Sequence, residues 1–327
     1  MEKIQYNVVE RDTKNASGKA KADVGKVLCD YGFKNLYSPL KNRYLRVVQQ
    51  FMSIAMLRHD TFLFVQYPAN IHQCYEYLKK KRMYKVCIIH DLESLRGTKT
   101  VKQEMSVLNS FDVVISHNPQ MTAYLRSEGI TVRIENLEIF DYLLPGDMSV
   151  KYSYFKHQVA FAGNLSKSVF LSKLGELPQV RFNLYGMPVS HMDNIICNAN
   201  ISYKGSFPSD KLIENIVGGW GLVWDGDSLD TCNGINGEYM KFNCPHKVSM
   251  YIAAERPIII WEKAAMASYI VNHNLGITIG SLRQLLQAID AVSEAQFKLM
   301  LEAVRCEKSR LVVGDHLLSV LKRIELK

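Results

Sequence analysis

Residues 221–260 read GLVWDGDSLDTCNGINGEYMKFNCPHKVSMYIAAERPIII, and the order of their apolar and polar runs decides the fold class. Gly221-Leu222-Val223-Trp224 is a short apolar run of the kind that forms a strand buried on both faces. The stretch rich in Asp, Asn and Gly that follows predicts a long polar loop at the carboxyl end of that strand. Pro245 suits the first turn of a helix, where its missing N–H is not needed. Val248, Tyr251, Ile252 and Glu255 share one face of that helix. Arg256-Pro257 ends it, and Ile258-Ile259-Ile260-Trp261 predicts the next strand.

The start of such a helix has chemical consequences. It offers free backbone N–H groups and a partial positive charge. With the ammonium of Lys247 and the imidazole of His246 beside it, the segment from Pro245 to Ser249 suits a diphosphate. In open α/β sheets ligands sit beyond the carboxyl ends of the strands, which is where this helix begins. The plainer reading is a capped core helix carrying an exposed lysine, and spacing alone does not choose between the two.

Working outward, the alternation repeats. Residues 61–66, 84–89 and 111–115 predict strands, with helices over 44–56, 71–80 and 119–128. Two polar groups follow strands at a common rim: His90-Asp91-Leu92-Glu93, and Ser116-His117-Asn118. A carboxylate there is placed to act as general base toward a hydroxyl, with Asp91 first and Glu93 and His117 next. Asp91 as a turn cap and His117 as an ordinary buried polar residue remain open beside that role. Residues 15–22 read as a Gly-containing loop running into a helix over 20–31, with Gly18 and Lys19 at a ligand or simply at a helix cap. Residues 141–154, polar and holding Pro145-Gly146-Asp147, break the pattern and predict a domain boundary. The alternation then restarts. Gly163, Asn164 and Ser166 follow a strand over 159–161 and form a second candidate phosphate or sugar contact.

Composition bounds the rest. The chain has 327 residues, 47% of them hydrophobic, enough for two cores. It contains neither G-x-G-x-x-G nor G-x-x-x-x-G-K-[ST], so dehydrogenase and P-loop readings lose support. Seven scattered cysteines lack metal-finger spacing and read as reduced thiols. No run of 18 apolar residues and no apolar leader is present, so a cytoplasmic protein is expected. The net charge of +8 is concentrated in the first half. It suits an anionic bilayer or a diphosphate-linked acceptor better than nucleic acid, for which no groove-reading motif is present. Asp225-Gly-Asp227 has the form of a metal-binding DxD. Its place far along the chain favours carboxylates that orient a sugar hydroxyl or the Lys247 side chain, with no metal and no cofactor.

GLVWDGDSLDTCNG and EYMKFNCPHKVSMYIAAERPIIIW resemble the donor domain of bacterial β-1,6-galactofuranosyltransferases of O-antigen assembly. Val114-Ile-Ser-His-Asn-Pro-Gln-Met121, Ile139-Phe-Asp-Tyr-Leu143, Ala162-Gly-Asn-Leu-Ser166, and Ile88-Ile-His-Asp91 with Leu95-Arg-Gly97 carry the likeness over nearly the whole chain. A more distant likeness is to GT-B glucosyltransferases that extend glycans on adhesins. The resemblance implies an α/β fold of the GT-B type, two Rossmann-like parallel-sheet domains facing a cleft. It implies an acceptor domain at 1–150, a nucleotide-sugar domain at 151–308 and a C-terminal helix at 309–327 crossing back to the first domain. It further implies an inverting, metal-independent hexosyl transfer from a UDP-sugar, by resemblance UDP-galactofuranose, onto a glycan or lipid-linked oligosaccharide in surface polysaccharide synthesis. Lys247, His246 and Ser249 would hold the diphosphate, Gly163, Asn164 and Ser166 would line the donor site, and Asp225 and Asp227 would contact the sugar. The acceptor side would include Gly18 and Lys19. Peripheral contact with the inner face of a membrane and a homo-oligomer are compatible partners. The alternatives are a UDP-glucose-dependent glucosyltransferase acting on a protein-linked glycan, and a non-catalytic sugar-nucleotide binder.

Overall fold

The computed structural model describes residues 1–6, 16–36, 40, 42–69, 75–146, 156–190 and 192–325. The first lobe runs β1 (Glu2–Tyr6), α1 (Ala16–Asp30), β2 (Lys34–Asn35), α2 (Arg43–Ala55), β3 (Thr61–Tyr67), α3 (Tyr75–Lys80), β4 (Tyr84–Ile89), α4 (Val101–Leu108), β5 (Val113–Ser116), α5 (Pro119–Ser127) and β6 (Arg133–Asn136). The second runs β7 (Gln158–Ala162), β8 (Arg181–Tyr185), α6 (Met192–Ile196), β9 (Ile201–Gly205), α7 (Ser209–Asn215), β10 (Trp220–Val223), α8 (Gly234–Tyr239) and α9 (His246–Ala253). It continues through β11 (Ile258–Trp261), α10 (Ala267–Asn272), β12 (Gly276–Ile279), α11 (Leu285–Ala291), α12 (Glu294–Leu311) and α13 (Asp315–Glu325).

Each lobe holds one six-stranded sheet, ordered β2-β1-β3-β4-β5-β6 in the first and β12-β11-β10-β7-β8-β9 in the second. Every strand pairing is parallel. The sequence explains which strands are central. All seven residues of β3 are buried, as are all four of β10 and β11, because helices cover both faces. At the edge, β9 alternates buried and open positions, so one of its faces meets solvent. In each sheet the strand order reverses once, between β1 and β3 and between β10 and β7. Such a reversal opens a crevice at the carboxyl ends of the strands. The structure therefore has the two-sheet α/β architecture expected from the sequence.

The two lobes share buried material. One apolar cluster runs from Phe62, Phe64, Val86 and Ile88 on one face of the first sheet, through Ile139, Phe140 and Tyr142, into the second lobe. A separate cluster of Leu63, Val65, Cys87 and Ile89 fills the other face of the first sheet. α13 lies on the first lobe: Glu325 pairs with Lys3 at 2.8 Å and accepts the Tyr31 hydroxyl at 2.8 Å, and Arg323 pairs with Glu135 at 3.2 Å. The buried Asp141 caps that helix, accepting the N–H groups of His316 and Leu317 at 3.2 and 2.9 Å. Burial pushes the Asp141 carboxyl up to about 6. The boundary expected at 150/151 lies within 147–155, outside the described residues, as does the 71–74 part of the helix expected before Lys80.

Two local expectations are corrected. α1 already begins at Ala16, so Gly18 and Lys19 lie in its opening turns and not in a loop before it. Pro245 is the N-cap of α9, with extended backbone, and His246 is the first helical residue.

Candidate functional site

The crevice of the second lobe contains a cavity of about 380 Å³. Its walls come from the turns after β7 (Gly163, Asn164, Ser166), after β8 (Tyr185 to Pro188) and after β9 (Ser206, Phe207), from the start of α9 (His246, Lys247, Met250), and from Tyr142, Ala162, Ser209 and Leu212. Its size falls within the ~300–1,000 Å³ common for small-molecule sites. Five of the residues expected at a nucleotide-sugar site from sequence meet here: Gly163, Asn164, Ser166, His246 and Lys247.

Lys247 is held by three contacts. Its ammonium lies 3.7 Å from Asp225 Oδ2, at the carboxyl end of β10, and 4.4 Å from the centre of the Phe161 ring. Its stem passes over Gly163, where an added Cβ would stand 2.8 Å from Lys247 Cε. A side chain at 163 would therefore displace the end of the Lys247 arm. Gly186 is required by close approach to backbone: a Cβ there would stand 2.1 Å from the Gly163 carbonyl oxygen. No side chain caps the start of α9; the Val248 N–H turns back to the Pro245 carbonyl at 2.9 Å, which leaves the N–H groups of His246 and Lys247 for a ligand. Nε2 of His246 is buried without a hydrogen-bond partner, and the ring stacks on Tyr142 at 5.1 Å. Burial depresses this imidazole to about 3, so it is neutral at physiological pH.

Asn164 accepts the Ser166 N–H at 3.0 Å and its hydroxyl at 2.6 Å, shaping the turn beneath the cavity. The two carboxylates of Asp225-Gly-Asp227 diverge. Asp225 faces Lys247, whereas Asp227 is exposed and hydrogen-bonds Asn233 across its own loop. Asp227 is therefore a loop-forming residue and does not line the cavity. Ser249 is corrected too: it is fully buried, and its hydroxyl donates to the Phe140 carbonyl at 2.6 Å, fastening α9 to the inter-lobe segment.

The rim of the first lobe is organised differently. His117 is buried and both its ring nitrogens are engaged. Nδ1 accepts the Cys244 N–H at 2.9 Å, so Nε2 carries the proton and donates to the Ile89 carbonyl at 2.9 Å. Burial lowers its pKa to about 4. This histidine bolts the lobes together and has no nitrogen left to act as a base. Glu93 accepts Lys99 at 2.6 Å and the Tyr67 hydroxyl at 2.9 Å, both on Oε2, and its side chain is half as exposed as that of Asp91, 20% against 41%. Beneath it, the fully buried Glu104 accepts the N–H groups of Glu93 and Ser94 at 2.7 and 3.0 Å. Sequence reading missed this carboxylate, which shapes the 92–96 turn. Asp91 stays accessible. Its Oδ1 accepts Arg96, whose guanidinium also donates to Asn236 at 2.7 Å and lies 4.1 Å over the Tyr239 ring.

Lys19 is not free for an acceptor. It is largely buried and donates to Asp23 at 2.7 Å and to the Leu143 carbonyl at 2.6 Å, while Gly18 is buried within α1. Burial raises Asp23 to about 6 despite that lysine. His90 connects the two rims: it stacks on Phe140 at 5.3 Å, and Phe140 meets His246 at 6.5 Å from the other side. The loops after β8 and β9 were also missed as cavity walls. Gly186-Met187-Pro188, a turn signal directly after an apolar strand, was the cue available.

Among the described residues no helix is long and apolar enough to cross a membrane, and no group of three or more His, Cys, Asp or Glu is arranged to hold a metal ion.

Comparison with known proteins follows the same division into lobes. Residues 4–139 match the glucosyltransferase 3-like N-terminal domain and residues 159–324 the glucosyltransferase 3-like C-terminal domain. The chain is 35% identical over 247 residues to the β-1,6-galactofuranosyltransferase WbbI of Escherichia coli K12, covering 73% of this chain and 70% of that protein. It is 27% identical over 229 residues to glucosyltransferase 3 of Streptococcus gordonii, covering 67% of this chain and 64% of that protein. Among solved structures, an Anabaena protein in complex with UDP and glucose superposes with a TM-score of 0.56 at 12% identity, covering 98% and 100% of the two chains. An α,α-trehalose-phosphate synthase (UDP-forming) from Burkholderia vietnamiensis gives 0.54 at 12%, covering 98% and 88%. These two likenesses speak to the fold, which is GT-B. With both lobes matched in order, the chain belongs to the glucosyltransferase 3-like family of glycosyltransferases.

Proposed function

We propose that this glycosyltransferase uses a UDP-sugar, UDP-galactofuranose, and transfers the hexose with inversion onto a glycan acceptor of surface polysaccharide assembly. The observation that carries the nucleotide part is Lys247 at the uncapped start of α9, lining a cavity of about 380 Å³. A departing diphosphate gains negative charge, and a fixed ammonium with oriented N–H groups stabilises it without rearrangement. Asp225 holds the ammonium in place. The divergence of Asp225 and Asp227 gives no paired carboxylates for a bridging cation, which supports transfer without metal.

Inversion in one displacement needs one base near the acceptor oxygen. Asp91 is the accessible carboxylate of the three candidates, at the rim of the first lobe, and takes that role in this reading. The galactofuranose assignment draws on the 35% identity to the Escherichia coli enzyme. A second reading, UDP-glucose and a protein-linked glycan, draws on the family description and the streptococcal relatives.

Thermal shift with a panel of UDP-sugars, followed by transfer assays with and without chelator, tests the proposal. UDP-galactofuranose should give the largest shift, since a ligand stabilises the state that binds it. A larger shift with UDP-glucose would favour the second reading, and binding without transfer to any acceptor would point to a non-catalytic binder. Activity abolished by chelator would overturn the metal-free mechanism.

A further inference from the structure

α2 is built inside out. Its polar Gln50 is buried and donates to the Tyr6 hydroxyl at 2.8 Å, and Ile54 is buried beside it. Tyr44, Leu45, Val48, Phe51 and Met52, on the opposite side, face solvent, from 48% to 83% exposed. Among the described residues, eight of the seventeen exposed large hydrophobics lie within residues 40–56. Single exposed apolar residues need no explanation, but a contiguous face does.

The surroundings identify the occupant. The C-terminal end of α2 is tied to the basic run Lys79-Lys80-Lys81-Arg82. Lys81 donates to the Ala55 and Leu57 carbonyls at 2.6 Å each, and the His59 ring meets the Arg82 carbonyl at 3.1 Å. Lys80 and Arg82 are exposed. Residues 40–60 and 75–85 together carry nine Lys or Arg against two Asp or Glu. An apolar helix face with a basic border matches an anionic bilayer, whose headgroups meet the cations while the apolar side chains enter the acyl boundary. A second copy docking two-fold through α2 would set this basic border against its own image, which is repulsive.

We infer that α2 is a membrane-seating helix, which lies in the surface of an anionic bilayer through Tyr44, Leu45, Val48, Phe51 and Met52, with Lys80 and Arg82 on the headgroups. Gln50 meets Tyr6 at the carboxyl end of β1, so the seated helix brings the cleft rim to the bilayer surface, within reach of a lipid-linked acceptor.

Sedimentation of the full chain with vesicles of phosphatidylcholine, with and without phosphatidylglycerol, tests this without reading catalysis. A failure here therefore leaves the glycosyltransferase reading standing. The wild type should sediment with the anionic vesicles, less so at high salt, and weakly with the neutral ones. Val48→Asp with Met52→Asp should lower partition at least ~10-fold. Lys80→Glu with Arg82→Glu, both at exposed positions, should do the same on anionic vesicles only. Both variants should keep the wild-type Tm and UDP affinity. The inference is overturned if the folded wild type ignores anionic vesicles, or if either variant sediments as the wild type does. It is equally overturned if the wild type is a dimer that Val48→Asp with Met52→Asp makes monomeric and vesicles bind neither.

Discussion

The two rims that face each other across the cleft use similar residues to opposite ends. On the second lobe, the start of α9 has no side-chain cap, His246 Nε2 has no partner, and Lys247 rests 3.7 Å from a single carboxylate. On the first lobe, both nitrogens of His117 are bonded, Glu93 is shared by Lys99 and Tyr67, and Arg96 bridges Asp91 to Asn236. A buried polar group left without a partner costs stability. In the proposed reading the rim with open groups takes the nucleotide, while the rim with satisfied groups fastens the lobes. Asp91 stands between these cases, bonded on Oδ1 and still accessible.

The sharpest way to break this contrast is at Asp91. Asp91→Asn should leave folding and UDP affinity intact and lower kcat by ~10²–10⁴-fold, the range for losing a general base. Turnover within a few-fold of the wild type would return Asp91 to the fastening set. Next in size is His117→Leu, which leaves the Cys244 N–H and the Ile89 carbonyl unpaired. It should lower stability by ~2–4 kcal/mol, seen as a fall in Tm of several degrees, while the purified protein still binds UDP.

The same histidine gives the contrast a pH dependence. Its folded pKa, about 4, lies below the unfolded value near 6.5. Its contribution is therefore complete above pH ~6.5 and is lost as pH falls toward 4, by up to ~3 kcal/mol. Asp23 and Asp141, raised to about 6, act oppositely, their protonated forms being favoured as pH falls. Tm against pH for the wild type and for His117→Leu isolates the histidine: the variant should lose less stability between pH 6.5 and 4. Parallel curves would show that His117 is not the titrating bolt. The smallest effect is expected at Ser249. Ser249→Ala removes its 2.6 Å bond to Phe140 and should cost ~1–2 kcal/mol of stability with donor affinity unchanged. A fall in donor affinity would restore Ser249 to the binding site.

What the sequence disclosed depended on range. β10, α9 and β11 were legible because strands covered on both faces are apolar runs, and because Arg256-Pro257 stops the helix between them. Lys247, Gly163 and Asn164 were legible because each directly follows a strand or opens a helix. α8 was hidden, since Gly234-Ile235-Asn236-Gly237 has poor helix formers; Tyr239 anchors it by accepting the Leu92 N–H. The roles of His117 and Ser249 were hidden because their partners lie 127 and 109 residues away. No local pattern distinguishes a polar residue that meets a ligand from one that meets the other lobe. Lys19 was more readable than it looked: Asp23 stands four residues on, the spacing of a helical ion pair.

The proposed nucleotide site rests on Lys247, and calorimetric titration of UDP into the wild type and Lys247→Ala tests it most directly. Loss of an ammonium that bonds a diphosphate should weaken UDP binding ~10- to 100-fold with little change in Tm. A variant that binds UDP as tightly as the wild type would contradict the assignment of the start of α9 as the nucleotide site.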